Sequence, residues 1–430
     1  MRYNRWVRVL RNVVVVLLAV VVVILLAAAT YYWYQQWTLA RSQEPLEAFY
    51  TPPEPVTGEP GTVLRSEAAP LWNVAGSDAQ RVLYVTEGVD GVRRVASATV
   101  WIPSAPAKQP RRVVAWAHGT IGLGDECAPS RNPANMPTMA PWLEQMMAAG
   151  WIVTATDYQG LGTPAPYSYL VGEPEARDVV NSVRAARSMP GADASKDWAV
   201  FGISQGGHAA LWAGDRAADL APELSLRAVA AAAPAAPLDV ILEQQWDTGV
   251  AWAIGPEVVV SWPSWISGLD PATIVSDAGA AATDSQAQDC VMTAALFGLA
   301  RQQIGQRYFS SSPLADPSWS AAIAEQIPPV ITDLPVLIPV GTKDNVVLPG
   351  SIAYMQRQWC KAGADLTMDW LGGVDHVSAA QVAAPAVVDW LSDRFAGRKT
   401  QPNCAQPPPV APYQPCSRPN PGAPSPKSRP

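Results

Sequence analysis

Phe201-Gly202-Ile203-Ser204-Gln205-Gly206-Gly207 is the stretch on which the reading of this chain turns. The apolar run 198–203 before the serine predicts a buried strand, and 205–220 after it predicts a helix. A strand that turns directly into a helix at Gly-x-Ser-x-Gly needs glycine on both sides of the serine, because the tight turn leaves no room for side chains there. The serine oxygen then stands exposed at the helix N-terminus, where a nucleophile belongs. The same pattern occurs in ordinary glycine-rich turns. Ser204 is therefore a candidate nucleophile only if a base and an acid follow it.

The chain has three histidines, His118, His208 and His376. Where a nucleophile sits on such an elbow, the chain order is serine, acid, histidine. His118 precedes Ser204. His208 lies one helical turn beyond it, where its side chain should run along the helix, and is expected to pack. His376 remains, in Gly372-Gly373-Val374-Asp375-His376 after a predicted strand. The acid should follow the strand before that one. Asp344, in Val340-Gly341-Thr342-Lys343-Asp344, fits and would hold the imidazole tautomer. Asp333 precedes its strand, and Asp375 adjoins the histidine too closely to face the ring. Ala117-His118-Gly119-Thr120 ends another predicted strand. The backbone N–H groups of Gln205 and of Gly119 or Thr120 would there stabilise an oxyanion, with His118 bracing the loop. Asp157-Tyr158-Gln159-Gly160-Leu161-Gly162 reads as a structural turn on the same rim.

Outward from the elbow, strands and helices alternate. A hairpin is predicted from 81–86 and 92–102 around Asp90-Gly91. Strands follow at 113–117, 151–156, 198–203, 226–233, 336–340 and 366–371. Helices are predicted at 139–149, 173–189, 205–220, 351–362 and 378–395. This rhythm implies βαβ units and a mostly parallel sheet. It breaks between Leu238 and about Val330, a mostly helical stretch with Trp246, Trp252, Trp262 and Trp265. That insertion reads as a cap, or lid. Its tryptophans would line an apolar pocket over the serine, or would only pack the lid onto the sheet.

The 430 residues are 49% hydrophobic and 16% charged, a composition that supports a large core. A net charge of −7 argues against broad nucleic-acid binding. The chain holds no His-Glu-x-x-His or Cys-x-x-Cys pattern, so neither a metal nor another cofactor is expected. Arg2, Arg5, Arg8 and Arg11 precede an apolar run, Val13 to Ala29, and an aromatic cluster, Tyr31, Tyr32, Trp33, Tyr34 and Trp37. Together they predict one N-terminal transmembrane helix within 1–38, with the remainder outside the cell. A signal peptide cleaved after Ala27-Ala28-Ala29, leaving a secreted protein, is the alternative. A Pro/Glu-rich tether is expected at 39–62, the main domain at 63–399 and a Pro-rich tail at 400–430. Cys127, Cys290, Cys360, Cys404 and Cys416 can form two disulfides in an exported domain and leave one thiol over.

His118-Gly119-Thr120 followed by Cys127-Ala128-Pro129-Ser130, the Asp157–Gly162 run, Gly202-Ile203-Ser204-Gln205-Gly206-Gly207, Gly341-Thr342-Lys343-Asp344 and Asp375-His376 resemble the motifs of the secretory lipase family, the lipase A-type branch of the α/β-hydrolases. The resemblance spans about residues 65 to 400. It implies the α/β-hydrolase fold with a helical lid, hydrolysis of triacylglycerols or other acyl esters, and a triad of Ser204, Asp344 and His376. It also implies disulfides Cys127–Cys290 and Cys360–Cys404. An acyltransferase would use the same triad, and a non-catalytic, membrane-tethered binding module on the same fold is a further alternative. Cys416, the apolar N-terminus and the Pro-rich tail depart from a simple secreted pattern.

Overall fold

The structure is a computed structural model that describes residues 3–132 and 140–415, so Cys416 and the tail beyond it lie outside the described residues. Met1–Phe49 form one compact unit and Tyr50–Pro430 another.

In the first unit a single helix runs from Tyr3 to Gln43. Among the described residues no helix is long and apolar enough to cross a membrane, so the expected transmembrane anchor is not supported. Several side chains of the run from Val13 to Ala29 lie outside the described residues. The helix also continues past that run, through Thr30, whose hydroxyl bonds back to the Leu26 carbonyl at 2.8 Å, to Arg41. Of the stretch expected as a tether, residues 51–62 form neither helix nor strand. The chain stays helical at Glu44–Leu46 and Glu47–Tyr50. Tyr50 is buried in the second unit, where its hydroxyl meets Ser130 Oγ at 2.7 Å.

The second unit is built on a nine-stranded sheet in the order β1-β2-β3-β5-β4-β6-β7-β8-β9. β1 (Val63–Ala68), β2 (Ser77–Glu87) and β3 (Arg93–Pro103) are antiparallel. β4 (Arg111–Ala117), β5 (Ile152–Thr156), β6 (Ala194–Ile203), β7 (Ser225–Ala232), β8 (Val336–Gly341) and β9 (Leu366–Leu371) are parallel to one another. β1 was not foreseen: it is half-exposed at the sheet edge and carries no apolar alternation.

The central stretches of the parallel strands, such as 113–117 in β4 and 198–203 in β6, are apolar because both faces are covered. Along β4, Val113, Ala115 and Ala117 join one apolar layer and Val114 and Trp116 the other. Helices Gly172–Ser188, Gln205–Leu220 and Pro349–Lys361 cover the first face; Ala140–Ala148 and Ala379–Phe395 cover the second. On that second face Trp116, Trp142 and Phe201 pack with ring centroids 4.5 to 5.5 Å apart.

Between β7 and β8 the insertion folds as helices Leu238–Gln245, Gly249–Ser261, Asp277–Ala280, Thr283–Gln288, Val291–Gln303 and Pro317–Glu325. It has an apolar core of its own, which takes in Leu123 and Tyr169–Val171 from the main body. The tryptophans belong to that core. Trp262 stacks on Trp319 at 6.1 Å and donates to the Tyr169 carbonyl; Trp265 donates to the Tyr167 carbonyl. Trp262 and Trp265 thereby fasten the insertion to residues 167–169.

Disulfides join Cys127 to Cys290 and Cys360 to Cys404. The first bridges 163 residues and ties the loop after β4 to the insertion. Constraining so long a loop in the unfolded chain stabilises the fold by about 2–5 kcal/mol. Replacing both Cys127 and Cys290 with serine should lower the denaturation midpoint by a corresponding amount. An unchanged midpoint in guanidinium titration would show that the bridge stabilises nothing.

Candidate active site

Ser204 sits between β6 and the helix Gln205–Leu220, with φ 55° and ψ −116°. Few non-glycine residues occupy that region, and holding a serine there costs about 1–3 kcal/mol. Three backbone hydrogen bonds keep the conformation. Ser204 N–H donates to the Ala232 carbonyl, and the Ser204 carbonyl accepts from Ala235 and His208, each at 3.0 Å. The flanking glycines are required by contact. A Cβ on Gly202 would lie 2.0 Å from the Gly206 carbonyl oxygen, and one on Gly206 would lie 1.9 Å from the Ala117 oxygen. The elbow is therefore pressed against the end of β4, the segment that leads into Gly119 and Thr120.

Asp344 and His376 meet across the loops after β8 and β9. His376 Nδ1 is 2.7 Å from Asp344 Oδ2, and both residues are buried. Asp344 Oδ1 accepts the N–H groups of Val346 and Val347 at 2.9 and 2.8 Å. With Nδ1–H donating to the carboxylate, Nε2 is left with its lone pair. The two loops touch closely: a Cβ on Gly341 would lie 2.2 Å from the Val374 oxygen. Asp375 is elsewhere engaged, accepting from Ser378 N–H at 2.9 Å. That hydrogen bond holds its carboxyl below the ordinary carboxylate range. Among the described residues the Ser204 hydroxyl forms no hydrogen bond, so the serine-to-imidazole arm is open in this structure. Such contacts often tighten only once substrate binds.

Gly119 is beside the nucleophile: a Cβ there would be 3.5 Å from Ser204 Cβ. Thr120 Oγ1 pairs with Tyr169 OH at 2.8 Å. The Gln205 N–H belongs to the first helical turn and lacks an intrahelical partner. The Gln205 side chain points away, donating to Glu175 Oε1 at 2.7 Å. Glu175 is completely buried and also accepts from Leu170 N–H at 3.0 Å. His208 lies in the same network, with Nδ1 3.3 Å from Glu175 Oε2 and Nε2 2.7 Å from the Gln326 carbonyl. It is an interior residue, far from the role His376 takes. His118 is also buried, with Nδ1 2.8 Å from the Gly119 carbonyl and its ring 4.6 Å from Tyr158. Burial lowers its pKa.

Asp157 does more than turn the chain. It accepts from Ser97 Oγ at 2.5 Å, from Ser130 N–H at 3.0 Å and from the Ser130 hydroxyl, so it fixes the Cys-Ala-Pro-Ser segment under the oxyanion loop. Asp178 accepts from Thr86 Oγ1 at 2.6 Å and from Gln159 N–H at 2.8 Å, and burial raises its pKa to about 7. Neither Glu175 nor Asp178 stands out in the sequence, because both lie in a helix whose other charged residues are half-exposed.

A small cavity of about 20 Å³ lies beside the elbow, among Gln205, His118, Tyr169 and Glu257. A larger one, about 530 Å³, opens near the start of β4 among Ser66, Arg111 and Asp193. That is the opposite end of the parallel strands from Ser204, and it holds none of the expected site residues. Among the described residues no cluster of His, Cys, Asp and Glu could hold a metal.

Residues 136–403 match the secretory lipase family. The chain belongs to the secretory lipase family. It is 23% identical to a secreted triacylglycerol lipase of Malassezia globosa, over 87% of this chain and 84% of that protein. It is 26% identical to a probable inactive lipase of Mycobacterium tuberculosis, over 84% and 85%. The structure of Candida antarctica lipase A superposes with a TM-score of 0.67 at 18% identity, covering 84% of this chain and 88% of that one. At that identity the likeness establishes the α/β-hydrolase-like fold.

Gly206→Ala should destabilise the fold by about 1–3 kcal/mol through overpacking against Ala117. The loss is read as a fall in the urea midpoint. A variant as stable as the parent would mean that the elbow and β4 can separate freely.

Proposed function

We propose that this member of the secretory lipase family is an exported carboxylic-ester hydrolase that works through Ser204, His376 and Asp344. One observation carries the reading: a buried Asp344, fixed by two backbone N–H groups, holds His376 Nδ1 at 2.7 Å on the rim where the strained Ser204 stands. The relative named as a probable inactive lipase makes the residues of this chain, and not its ancestry, the ground for activity. Two disulfides fit an oxidising, extracytoplasmic setting.

In this mechanism Ser204 Oγ attacks the ester carbonyl carbon while its proton passes to His376 Nε2. The carbonyl oxygen becomes an oxyanion, stabilised by the N–H of Gln205 and of Gly119 or Thr120. The intermediate collapses to an acyl-serine, and the alcohol leaves with the proton from the imidazolium. Water, deprotonated by the same imidazole, then releases the acid and restores Ser204. Asp344 stabilises the imidazolium throughout and keeps its own proton-free state.

We further propose acyl esters of medium or long chain as substrates. The support is on the insertion's surface, where Met292, Leu296, Phe297, Leu299 and Ile304 are all exposed on or beside the helix Val291–Gln303. Such a run of large apolar side chains suits contact with an aggregated lipid. Each acyl methylene buried on binding contributes roughly 0.8 kcal/mol.

Ser204→Ala and His376→Ala should each lower kcat by about three orders of magnitude or more, since the set acts as a unit. Hydrolysis of 4-nitrophenyl esters by purified protein measures this. Parent-like turnover in Ser204→Ala would overturn the mechanism. Across a series from acetate to palmitate, kcat/KM should rise with chain length. A maximum at acetate would leave a small-ester carboxylesterase instead of a lipase.

A further inference from the structure

Glu257 stands in the helix Gly249–Ser261, only 2% exposed, and borders the small cavity beside the elbow together with Gln205 and Tyr169. Among the described residues its Oε1 has no hydrogen-bond partner. Two other residues bordering the cavity each carry a buried atom in that condition, Ser168 Oγ and Gln159 Oε1. Buried polar atoms are nearly always paired, and each exception asks for a reason. A carboxyl is the costliest group to leave in this state. Burial alone pushes Glu257 well above the ordinary carboxylate range, and no neighbouring charge offsets it. Burial thus favours its un-ionised form, which has one O–H to donate and an oxygen to accept. A leucine of similar length would fill the site without that penalty.

The cavity's other walls belong to the machinery described above. Gln205 follows the nucleophile, and Tyr169 holds Thr120 of the oxyanion loop at 2.8 Å. Glu257, Ser168 and Gln159 thus border the same small cavity as Gln205, the residue next to Ser204.

We propose that Glu257 is a specificity-determining residue, which hydrogen-bonds a hydroxyl carried near the scissile ester bond, so that hydroxylated esters are preferred to plain hydrocarbon ones. This rests on the ester-hydrolase reading and refines it. Chain length would set the apolar part of affinity, and Glu257, with Ser168 and Gln159, would read a polar substituent close to the carbonyl. The hydroxyl can belong to the acyl chain or to the alcohol. A site built to bond a substrate hydroxyl rejects the analogue that lacks it, because its own buried groups then stay unpaired.

The test uses the full chain and two matched ester pairs: 4-nitrophenyl hexanoate against 4-nitrophenyl 3-hydroxyhexanoate, and propyl butyrate against glyceryl monobutyrate. For at least one pair the parent should favour the hydroxylated member by about tenfold or more in kcat/KM. That pair identifies which side of the ester is read. In Glu257→Leu the ratio should fall to about one, with a melting temperature at or above the parent's. Glu257→Gln, which keeps a donor and an acceptor, should retain part of the preference. If the leucine variant does not fold, Ser204→Ala protein decides by thermal shift: the hydroxylated ester should raise its melting temperature more than the plain one. Parent ratios near one for both pairs, or a ratio unchanged in Glu257→Leu, would overturn the proposal and leave a water-filled structural pocket. Fluorophosphonate labelling of Ser204 in the parent separates the two levels. Labelling without discrimination sinks only the role of Glu257; no labelling and no hydrolysis sinks the hydrolase reading with it.

Discussion

Everything at this site depends on the contact between Gly206 and the end of β4. Ala117 O would lie 1.9 Å from any Cβ at Gly206, so the elbow and the strand leading to the oxyanion loop approach as closely as backbones can. Ser204 is forced into a positive-φ conformation by the same tightness. The surrounding structure must over-determine that backbone for it to persist. It does so through the hydrogen bond that Ser204 N–H donates to Ala232 and those its carbonyl accepts from Ala235 and His208, which tie the elbow to the end of β7 and to its own helix. The position of the nucleophile relative to Gly119 is thus a property of the sheet and not of a loop.

Around that contact the protein buries an unusual amount of acid. Asp157, Glu175 and Asp178 are each fully enclosed, and each is used as a clamp accepting several hydrogen bonds. Burial raises the carboxyls of Asp157 and Asp178, while their hydrogen bonds pull the other way. A group raised in this manner disfavours the folded state as pH climbs from the unfolded carboxylate range to the folded value, about 7 for Asp178. Asp157 and Asp178 therefore weaken stability as pH rises toward neutrality, in exchange for fixed loops. Asp157 holds Ser130 just after the first bridge cysteine, Glu175 holds the side chain of Gln205, and Asp178 holds the turn at Gln159. Glu257 breaks the pattern, since it clamps nothing among the described residues.

The sequence made the alternation of strands and helices legible because parallel strands buried on both faces carry unbroken apolar runs, as 113–117 of β4 and 198–203 of β6 do. It singled out His376 because the chain has only three histidines, and the structure sets that ring 2.7 Å from Asp344. Where it failed, the missing information was tertiary. β1 has no apolar period. Tyr50 is buried only because Ser130 and the ring-stacked Arg131 meet it across 80 residues. Glu175 and Glu257 look like ordinary helical acids until the neighbouring elements close over them. The insertion's tryptophans are apolar in any reading, and only their indole N–H donors, aimed at the carbonyls of Tyr167 and Tyr169, show that they fasten the insertion down.

Those fastenings constrain how a substrate can reach Ser204. The chain just beyond Thr120 is stitched to the insertion by Leu123 N–H to Ala287 O at 2.8 Å, by Val291 N–H to Ile121 O at 2.9 Å and by the Cys127–Cys290 bridge. Gly122 is so close to Asp289 that a Cβ there would lie 2.3 Å from its carbonyl oxygen. The part of the insertion around 287–291 cannot lift away without dragging the oxyanion loop from its place beside Ser204. An opening motion that kept the oxyanion loop intact would have to leave this seam closed. It would have to part the insertion along the contacts that single side chains supply, at Trp262 and Trp265. The covalent and backbone links gather at 121–127 and 287–291, so the insertion is joined most firmly to the segment that follows Gly119 and Thr120.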